Sequence, residues 1–470
     1  MRWKVLLQCD NGPQDTSTCE IGSIERNDIP EFSQIGLLHW EGKNLLILMQ
    51  RAIVRDQMRV LSNRLQPCPH CGKRRFIKDY RPRILRTIYA NVGLRLPRFK
   101  QCDCAESASA TSSRYVWYGS QYLPRRSTPE LAAMEAALGA RVPFREASFL
   151  LDSFLPAKKR RNHGTLRNSL LRVGERLDRE GATVPTPSED LVSSRAAVAI
   201  DGTFIRSRMT PTPGYRFHVV VGHVTTDRGK PAIFSYVHEC RPPVSSLADV
   251  WGKLGLGKET KLRIITDGDR GLRTTVQRTV ACESSHVLDW FHIAMRLTSI
   301  EHSMEPVLHR TQFSNFLIRN EVLELQSIRH PLWHGDIPFV ITCLSEMDNR
   351  ISSLASRQTL ETDGGLQSLL RRIAELGAYL AKYFDEPVSY SRAHHDDEPV
   401  STAPAESTIN RLVNHRMDKT QQMSWSPRGA HYLLQVRVAI LNRVLADSFK
   451  RWYPGFSELK YGQPAAAAPP

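Results

Sequence analysis

Three apolar segments, each followed directly by an aspartate, constrain the fold of this chain more than any other feature. AVAI precedes Asp201, RIIT precedes Asp267, and HVL precedes Asp289. Apolar runs of this length are typical of buried strands. Because an α/β sheet presents its sites at the carboxyl ends of its strands, the pattern predicts an α/β fold with acids gathered at one edge.

Asp201 and Asp267 are each followed by glycine, Gly202 and Gly268. An acid that starts a turn after a strand explains most single Asp-Gly pairs. Two such pairs at two strand ends favour a shared site, in which glycine lets the backbone and a metal approach closely. We expect Asp269 to lie beside this site as an outer residue.

Glu406, in the segment STAPAEST, is a third candidate acid. Pro404 suits a first helical turn, and Thr402 or Ser401 can cap it. An acid in a first turn commonly does no more than compensate the helix dipole.

Carboxylates that are remote in sequence suit phosphoryl transfer with two divalent ions. Such ions lie about 4 Å apart, activate the attacking oxygen and stabilise the leaving oxygen. Mg²⁺ prefers hard oxygen ligands and keeps several waters, so a few carboxylates suffice. Asp201, Asp267 and Glu406 are the candidates for these ligands of Mg²⁺ or Mn²⁺.

The chain is strongly basic, with 64 Lys and Arg against 48 acidic residues and a net charge of +16. This excess favours a polyanionic partner, because neutralised phosphates release counterions. Ribosomal, RNA-processing and membrane-surface proteins are equally basic, so charge indicates a class of partner and not an activity. No segment reaches the ~20 apolar residues of a membrane span, and we expect a cytoplasmic protein without a membrane partner.

Four of the nine cysteines form two close pairs, Cys68 with Cys71 and Cys102 with Cys104. The odd total and the paired spacing argue against a secreted disulfide framework. The two pairs complete a tetrahedral set for structural Zn²⁺, with free thiols or a redox pair as alternatives and His70 as a substitute ligand. We expect a zinc-ribbon-like domain over 66–113, with hairpin strands between the pairs. Its cations are expected to face DNA phosphates: Lys73, Arg74 and Arg75.

Residues 125–182 contain three segments with helical periodicity and short breaks, which is typical of a helix-turn-helix domain. In the third segment, Arg167 and Arg172 offer donors to phosphates or base edges. A plain helical bundle with a solvated basic face fits the pattern equally well. Residues 1–65 include a helical stretch over 45–65 and have no readable role. The Ala/Pro-rich tail over 461–470 is expected to be disordered.

The ordered motifs of the second half resemble those of ISKra-type insertion-sequence transposases, which are DDE enzymes related to the Mutator-like group. The motifs are DGTF, TDGDRGL, DWFH, PLWHGD, STAPAEST, RMDKTQQM and SPRGAHYLLQVR. The resemblance covers about residues 195–456, and more loosely the cysteine and helical regions. It implies a ribonuclease H-like catalytic domain over 195–460, with a helical insertion at about 293–398. It also implies that Asp201, Asp267 and Glu406 are the catalytic triad.

The same resemblance assigns roles to further residues. Asp289 and His292 match the C/D-x-x-H signature of Mutator-like enzymes and are expected to support the active site or the DNA ends, with packing of His292 as the alternative. Trp333 of the WHG segment is expected to stack on a splayed base, with core packing as the alternative. Arg416 and Lys419 are expected DNA contacts. The family's doubled Lys before the Gln pair is interrupted here, which removes a basic contact at Thr420.

The sequence therefore predicts an insertion-sequence DNA transposase that binds terminal inverted repeats and catalyses metal-dependent DNA cleavage and strand transfer. Its partners are double-stranded DNA and, because two DNA ends are paired, further copies of itself in a homodimer or larger oligomer. A non-catalytic zinc-dependent DNA-binding protein and a structure-specific nuclease are the alternatives.

Overall fold

In the computed structural model the chain divides into two compact units, Met1–Val173 with Ala446–Pro470, and Gly174–Leu445. The structure describes residues 1–10, 16–29, 31–104, 115–156, 162–185, 192–208, 214–240, 243–311, 313–357, 363–383, 388–419 and 423–457. The expected disordered tail over 461–470 lies outside these residues, as does most of the end of the 66–113 domain. Among the described helices, none combines the length and the hydrophobicity that crossing a bilayer requires.

The first unit begins with an antiparallel hairpin, β1 (Arg2–Asp10) and β2 (Thr16–Glu25), and a long helix, α1 (His39–Leu65). The helix starts earlier than its apolar periodicity indicated, because Glu41 accepts the Leu38 N–H at 2.9 Å and also pairs with Arg26. This contact satisfies a backbone donor that the first turn leaves free.

A second antiparallel pair, β3 (Ile77–Arg86) and β4 (Asn91–Lys100), follows, and the short strand β5 (Tyr115–Val116) extends it. Alternate residues of β4 are buried, among them Val92 and Leu94, as expected for a strand with one covered face. This face packs on α1 through Ile47 and Val54. The hairpin between the two cysteine pairs thus covers its apolar face with the preceding helix.

Four helices complete this part of the chain: α2 (Gly119–Tyr122), α3 (Pro129–Gly139), α4 (Phe144–Phe154) and α5 (His163–Arg179). On α5 the residues Leu166, Leu170, Val173 and Leu177 are buried. Their spacing of three and four residues gives the helix one apolar face, and Arg172 lies on its exposed side.

The second unit is built on a five-stranded mixed sheet of order β10-β9-β6-β7-β8. Its strands are β6 (Arg195–Arg206), β7 (Arg216–Thr226), β8 (Ala232–Val237), β9 (Lys261–Thr266) and β10 (Ser284–Leu288). β6, β7 and β8 form an antiparallel meander, whereas β9 runs parallel to β6 and β10 runs parallel to β9. The predicted α/β fold class is confirmed at this level.

Helices α6 (Pro243–Lys253) and α7 (Arg270–Thr279) pack on the sheet. Trp251 and Val276 from these helices meet Val198 and Ile264 of the central strands. Burial on this face explains why the central strands read as continuous apolar runs.

Residues 290–395, called here the helical segment, follow β10 directly. Its helices are α8 (Trp290–Arg310), α9 (Asn315–Ser327), α10 (Arg329–Trp333), α11 (Ile337–Arg357), α12 (Gly364–Ala381) and α13 (Tyr390–His395). Leu297, Met304, Leu344 and Ile373 are buried in a core that the segment shares with the end of β10. The segment therefore packs as one body against the carboxyl end of the sheet.

The chain then returns to the sheet. Its last elements in this unit are α14 (Ala403–Ile409), a π-helical turn (Asn410–Asn414), α15 (His415–Met417) and α16 (Pro427–Leu441). The final helix, α17 (Leu445–Trp452), belongs to the first unit from Ala446 onward. α14 contacts β6 and β7, and α16 contacts β8. Glu406, in α14, is thereby brought to the strand that contains Asp201.

Candidate functional site

Asp201, Asp267 and Asp289 are called here the acidic row: Asp201 lies within β6, and the other two directly follow the parallel strands β9 and β10. Ala199 of β6 pairs with Ile265 of β9, and Thr266 of β9 pairs with Leu288 of β10. Continuing these registers places Asp201 beside Asp267 and Asp267 beside Asp289. The sheet therefore collects the three aspartates at its carboxyl edge.

The Asp-Gly pair had suggested that Asp201 follows the end of a strand. In the structure, Asp201 lies inside β6. β7 pairs with β6 from Ala196 to Arg206, whereas β9 pairs with it only as far as Ala199. The antiparallel partner thus continues the strand past the acid. Asp201 still reaches the carboxyl edge, because the parallel neighbour stops there.

Gly202 makes room for a side chain of the neighbouring strand, a role that the Asp-Gly pair did not indicate. A Cβ atom at this position would lie 2.1 Å from Nε2 of His218, on β7. The His218 ring stacks on Phe204 at 4.9 Å, and burial lowers its pKa. The glycine is therefore required by cross-strand packing.

The carboxyl group of Asp201 sits in a field that favours a cation. Burial, first, and the charges of Asp267 and Glu406 together raise the pKa of Asp201 to about 6. The Gly202 N–H, which donates to Oδ1 at 2.6 Å, acts in the opposite direction. A divalent ion would offset the repulsion between this partly buried carboxylate and the other carboxylates. The oxygen donors and the local charge both fit Mg²⁺ or Mn²⁺.

Asp267 occupies a tight turn in which glycine is needed. Gly268 has a φ of +101°, a region that side chains rarely allow. Oδ1 of Asp267 accepts the Asp269 N–H at 3.2 Å. The Asp269 side chain caps α7, accepting N–H groups from Gly271 at 2.7 Å and Leu272 at 3.1 Å. We expected Asp269 beside the site; its role as the N-cap of α7 explains the presence of an acid at this position.

Asp289 is fully buried, and its oxygens accept several hydrogen bonds. Oδ1 accepts the Phe291 N–H at 2.9 Å, and Oδ2 contacts Nδ1 of His292 at 2.6 Å and the Thr402 hydroxyl at 2.5 Å. Burial opposes ionisation, but the hydrogen bonds from His292 and Thr402 prevail and lower the pKa of Asp289. Thr402 was expected to cap α14 and instead donates to this carboxylate. Oγ of Ser401 accepts the Ala403 N–H at 3.1 Å.

His292 connects the acidic row to Glu406. The hydrogen bond with Asp289 raises the pKa of His292, and the charges of Glu406 and Asp267 add to the effect. Nε2 of His292 lies 3.6 Å from Oε1 of Glu406. Ligand atoms of Asp289, His292 and Glu406 all lie within 4.8 Å of one another. In the described part of the chain, Asp201 and Asp267 do not join a group that close, so the ligand set Asp201, Asp267 and Glu406 stays a prediction.

The four paired cysteines form a second close group, in the first unit. Their sulfur atoms lie within 4.8 Å of one another, with Cys68 and Cys104 at 3.9 Å and Cys71 and Cys102 at 3.4 Å. Tetrahedral zinc with Zn–S bonds of about 2.3 Å requires sulfur separations of about 3.8 Å. Backbone N–H groups of Cys71 and His70 lower the pKa of Cys68 to about 6. The donor set fits zinc, and His70 is not a member of the group.

Two of the expected DNA-binding cations are buried, which removes them from the exposed surface. Arg75 donates to the Tyr118 hydroxyl at 3.0 Å, and its guanidinium lies 5.2 Å from the centre of the Phe99 ring. Arg416 is 0% exposed and lies 5.3 Å from the centre of the Trp425 ring. Both guanidinium groups are held by interior aromatic packing. The candidates that remain at least partly exposed are Lys73, Arg74, Arg167, Arg172 and Lys419.

Trp333 is partly buried against Trp290, the residue that follows Asp289. Its ring meets Trp290 edge-on at 4.7 Å and stacks on Tyr390 at 5.9 Å with 21° between the planes. It packs against the core of the helical segment. Core packing accounts for these contacts, and stacking on a DNA base stays a prediction.

No model of a known protein family matches the chain, and no curated protein matches it. Among solved structures, the chain is similar to the Drosophila P element transposase strand transfer complex, with 12% sequence identity and a TM-score of 0.23. The match covers 69% of this chain and 80% of that one. A likeness this distant carries no argument about function.

Proposed function

We propose that this protein is a DDE-type DNA transposase of an insertion sequence, which cleaves DNA and joins DNA strands at Asp201, Asp267 and Glu406. The observation that carries the proposal is the level placement of Asp201 and Asp267 on adjacent parallel strands, with the charge of Glu406 acting on Asp201. The ISKra type is proposed from the sequence motifs alone.

The arrangement of the second unit supports a ribonuclease H-like fold for the catalytic domain, over 195–460. The first strand, β6, is central, with its meander partners on one side and the two parallel strands on the other. The helical segment lies between β10 and α14, where the resemblance implies an insertion over about 293–398.

The side chains of the proposed site have different roles, as metal ligands or as groups that position a ligand. Two divalent ions, when bound, activate the attacking water or 3′-hydroxyl and stabilise the leaving oxygen. Asp201, Asp267 and Glu406 supply oxygen ligands for these ions. His292, held by Asp289, fixes the position of the Glu406 carboxylate. Since Asp289 has its oxygens engaged in hydrogen bonds, it serves as the anchor of this pair.

DNA binding is assigned to the first unit and to exposed cations. The zinc-ribbon-like region over 66–113 and the helices over 125–182 are proposed to bind the terminal inverted repeats. Exposed or partly exposed cations in these regions are Lys73, Arg74, Arg167 and Arg172. Pairing of two DNA ends implies a homodimer or a larger oligomer.

The test is cleavage and strand transfer on DNA that carries the sequences flanking the coding region. The wild-type protein should cut at the element ends and join them to a target with Mg²⁺ or Mn²⁺. Asp201→Asn, Asp267→Asn and Glu406→Gln should each abolish both steps. Asp227→Asn is the matched control, because Asp227 bonds to Ser194 at the opposite end of β6.

The alternatives predict different products. A structure-specific nuclease cuts without joining, and a DNA-binding protein leaves the DNA intact. Cutting and joining that survive in the Asp201→Asn and Glu406→Gln proteins would exclude the proposed site.

A further inference from the structure

We infer that Tyr379, Tyr383 and Tyr390 of the helical segment are positioning residues, which set the geometry of the acidic row by holding the main chain at Asp267 and Asp289. This inference rests on the proposed function and assigns a task to the helical segment.

Two of these tyrosines hydrogen-bond to the turn that contains Asp267. The Tyr379 hydroxyl donates to the carbonyl oxygen of Asp267 at 2.7 Å. The Tyr383 hydroxyl donates to the next carbonyl oxygen, that of Gly268, also at 2.7 Å. The side chains come from the end of α12 and the turn that follows, and both are buried. Successive carbonyls of the metal-binding turn are thus fixed from outside the sheet.

Contacts from inside the sheet hold the same turn. The Gly268 N–H donates to Oγ1 of Thr266 at 3.1 Å, and Oγ1 contacts Nε2 of His286 at 3.0 Å. A Cβ atom on Gly268 would lie 2.9 Å from the Tyr379 ring. The turn is therefore enclosed between the strands and the tyrosines, with little freedom to move Asp267.

The third tyrosine acts on the neighbouring strand. The Tyr390 hydroxyl donates to the carbonyl oxygen of Leu288 at 2.9 Å. Leu288 immediately precedes Asp289, which anchors His292. Both parallel strands that end in an acid are therefore held by the helical segment.

The three hydroxyl groups have a role that packing does not explain. Apolar packing alone would be served by phenylalanine. All three hydroxyls donate instead to carbonyls next to or within the acidic row. Residues that orient metal ligands in this way typically affect metal affinity by about 10–100-fold.

The experiment measures Mn²⁺ binding to the full-length protein without DNA, by electron paramagnetic resonance of the free ion. The variants are Tyr379→Phe with Tyr383→Phe, each of these alone, and Tyr390→Phe. Each keeps the aromatic ring and removes only the hydroxyl. Tyr432→Phe is the matched control, because that hydroxyl contacts Glu175 and Arg428, which belong neither to the acidic row nor to the Glu406 helix.

We expect the double variant to bind Mn²⁺ about tenfold more weakly than the wild type, and the Tyr432→Phe protein to match the wild type. DNA cleavage by the double variant should need more Mg²⁺ for half-maximal rate and recover most of its maximal rate at saturating Mg²⁺. A purely structural role would lower the melting temperature without this shift in metal requirement. If the double variant does not fold, the Mn²⁺ affinities of the single variants test the positioning role.

The outcomes separate the two claims. Folded phenylalanine variants with wild-type Mn²⁺ affinity would overturn the positioning role and leave the proposed function standing. A wild-type protein that binds no Mn²⁺, or binds it equally well after Asp201→Asn, would overturn the proposed function and this inference with it.

Discussion

His292 lies with Nε2 3.6 Å from Oε1 of Glu406, which ties the carboxyl edge of the sheet to the first turn of α14. Its other ring nitrogen is held by Asp289 at 2.6 Å. Asp289 is bonded in turn to Thr402, immediately before α14. The helix that carries Glu406 is therefore fastened to β10 at two points.

Replacing His292 by alanine should leave the Glu406 carboxylate free to move, while the aspartates of the acidic row remain in place. We expect cleavage to fall about 10–100-fold at low Mg²⁺ and the Mg²⁺ requirement to rise, since a group that orients a ligand is lost. Steady-state cleavage rates across a Mg²⁺ titration measure both effects. His302→Ala, on the same helix, is the control. An unchanged Mg²⁺ requirement would show that Glu406 is positioned without His292.

Asp201→Asn should stabilise the metal-free protein at neutral pH. The folded-state pKa of Asp201 is raised to about 6, so ionisation costs stability as pH rises from about 4 to about 6, and the full cost persists above that range. A shift of this size corresponds to a cost on the order of 1–3 kcal/mol. Asparagine removes this cost.

Thermal melts at two pH values test this prediction. The variant should gain more in melting temperature at pH 7.5 than at pH 4.5, and Mg²⁺ should raise the melting temperature of the wild type more than that of the variant. An equal gain at both pH values would contradict a raised pKa for Asp201.

The four-cysteine group should hold one zinc ion per chain. Cys68→Ser should remove it, because the tetrahedral set then lacks a thiolate, and the hairpin β3–β4 should lose order. Elemental analysis of purified protein gives the zinc content, and limited proteolysis between residues 66 and 104 reports the order. Cys343→Ser is the control. Zinc retained after loss of Cys68 would contradict the site.

Arg416 and Lys419 should respond differently to alanine, although they are close in sequence. Arg416 is buried against Trp425, so its loss should destabilise the protein by about 2–4 kcal/mol. Lys419 is exposed, so its loss should leave stability unchanged. The slope of the logarithm of the DNA-binding constant against the logarithm of salt concentration should become shallower by about one unit. Denaturant unfolding and binding at several salt concentrations separate the two. Equal stability losses would contradict the burial difference.

Local sequence patterns predicted the strands and the edge at which acids gather. Apolar runs before Asp201 and Asp267 indicated buried strands, and parallel strands share a carboxyl edge. That Asp201 lies inside β6 depends on the longer pairing with β7, which no local pattern encodes. Residue type likewise did not distinguish Arg416, which packs on an aromatic ring, from an exposed cation.

The tyrosines were missed for a related reason. Tyr379 contacts Asp267 and Tyr390 contacts Leu288 across more than a hundred residues of chain. Within the helical periodicity of their own segments, they read as ordinary core residues. Only the packing of the helical segment on the strand ends reveals the use of their hydroxyl groups.

Anomalous diffraction from crystals of the full-length protein grown with Mn²⁺ tests the central claim most directly. The account predicts manganese peaks within about 2.2 Å of carboxylate oxygens of Asp201, Asp267 and Glu406 together. Crystals with bound manganese elsewhere, and with Glu406 remote from both aspartates, would contradict it.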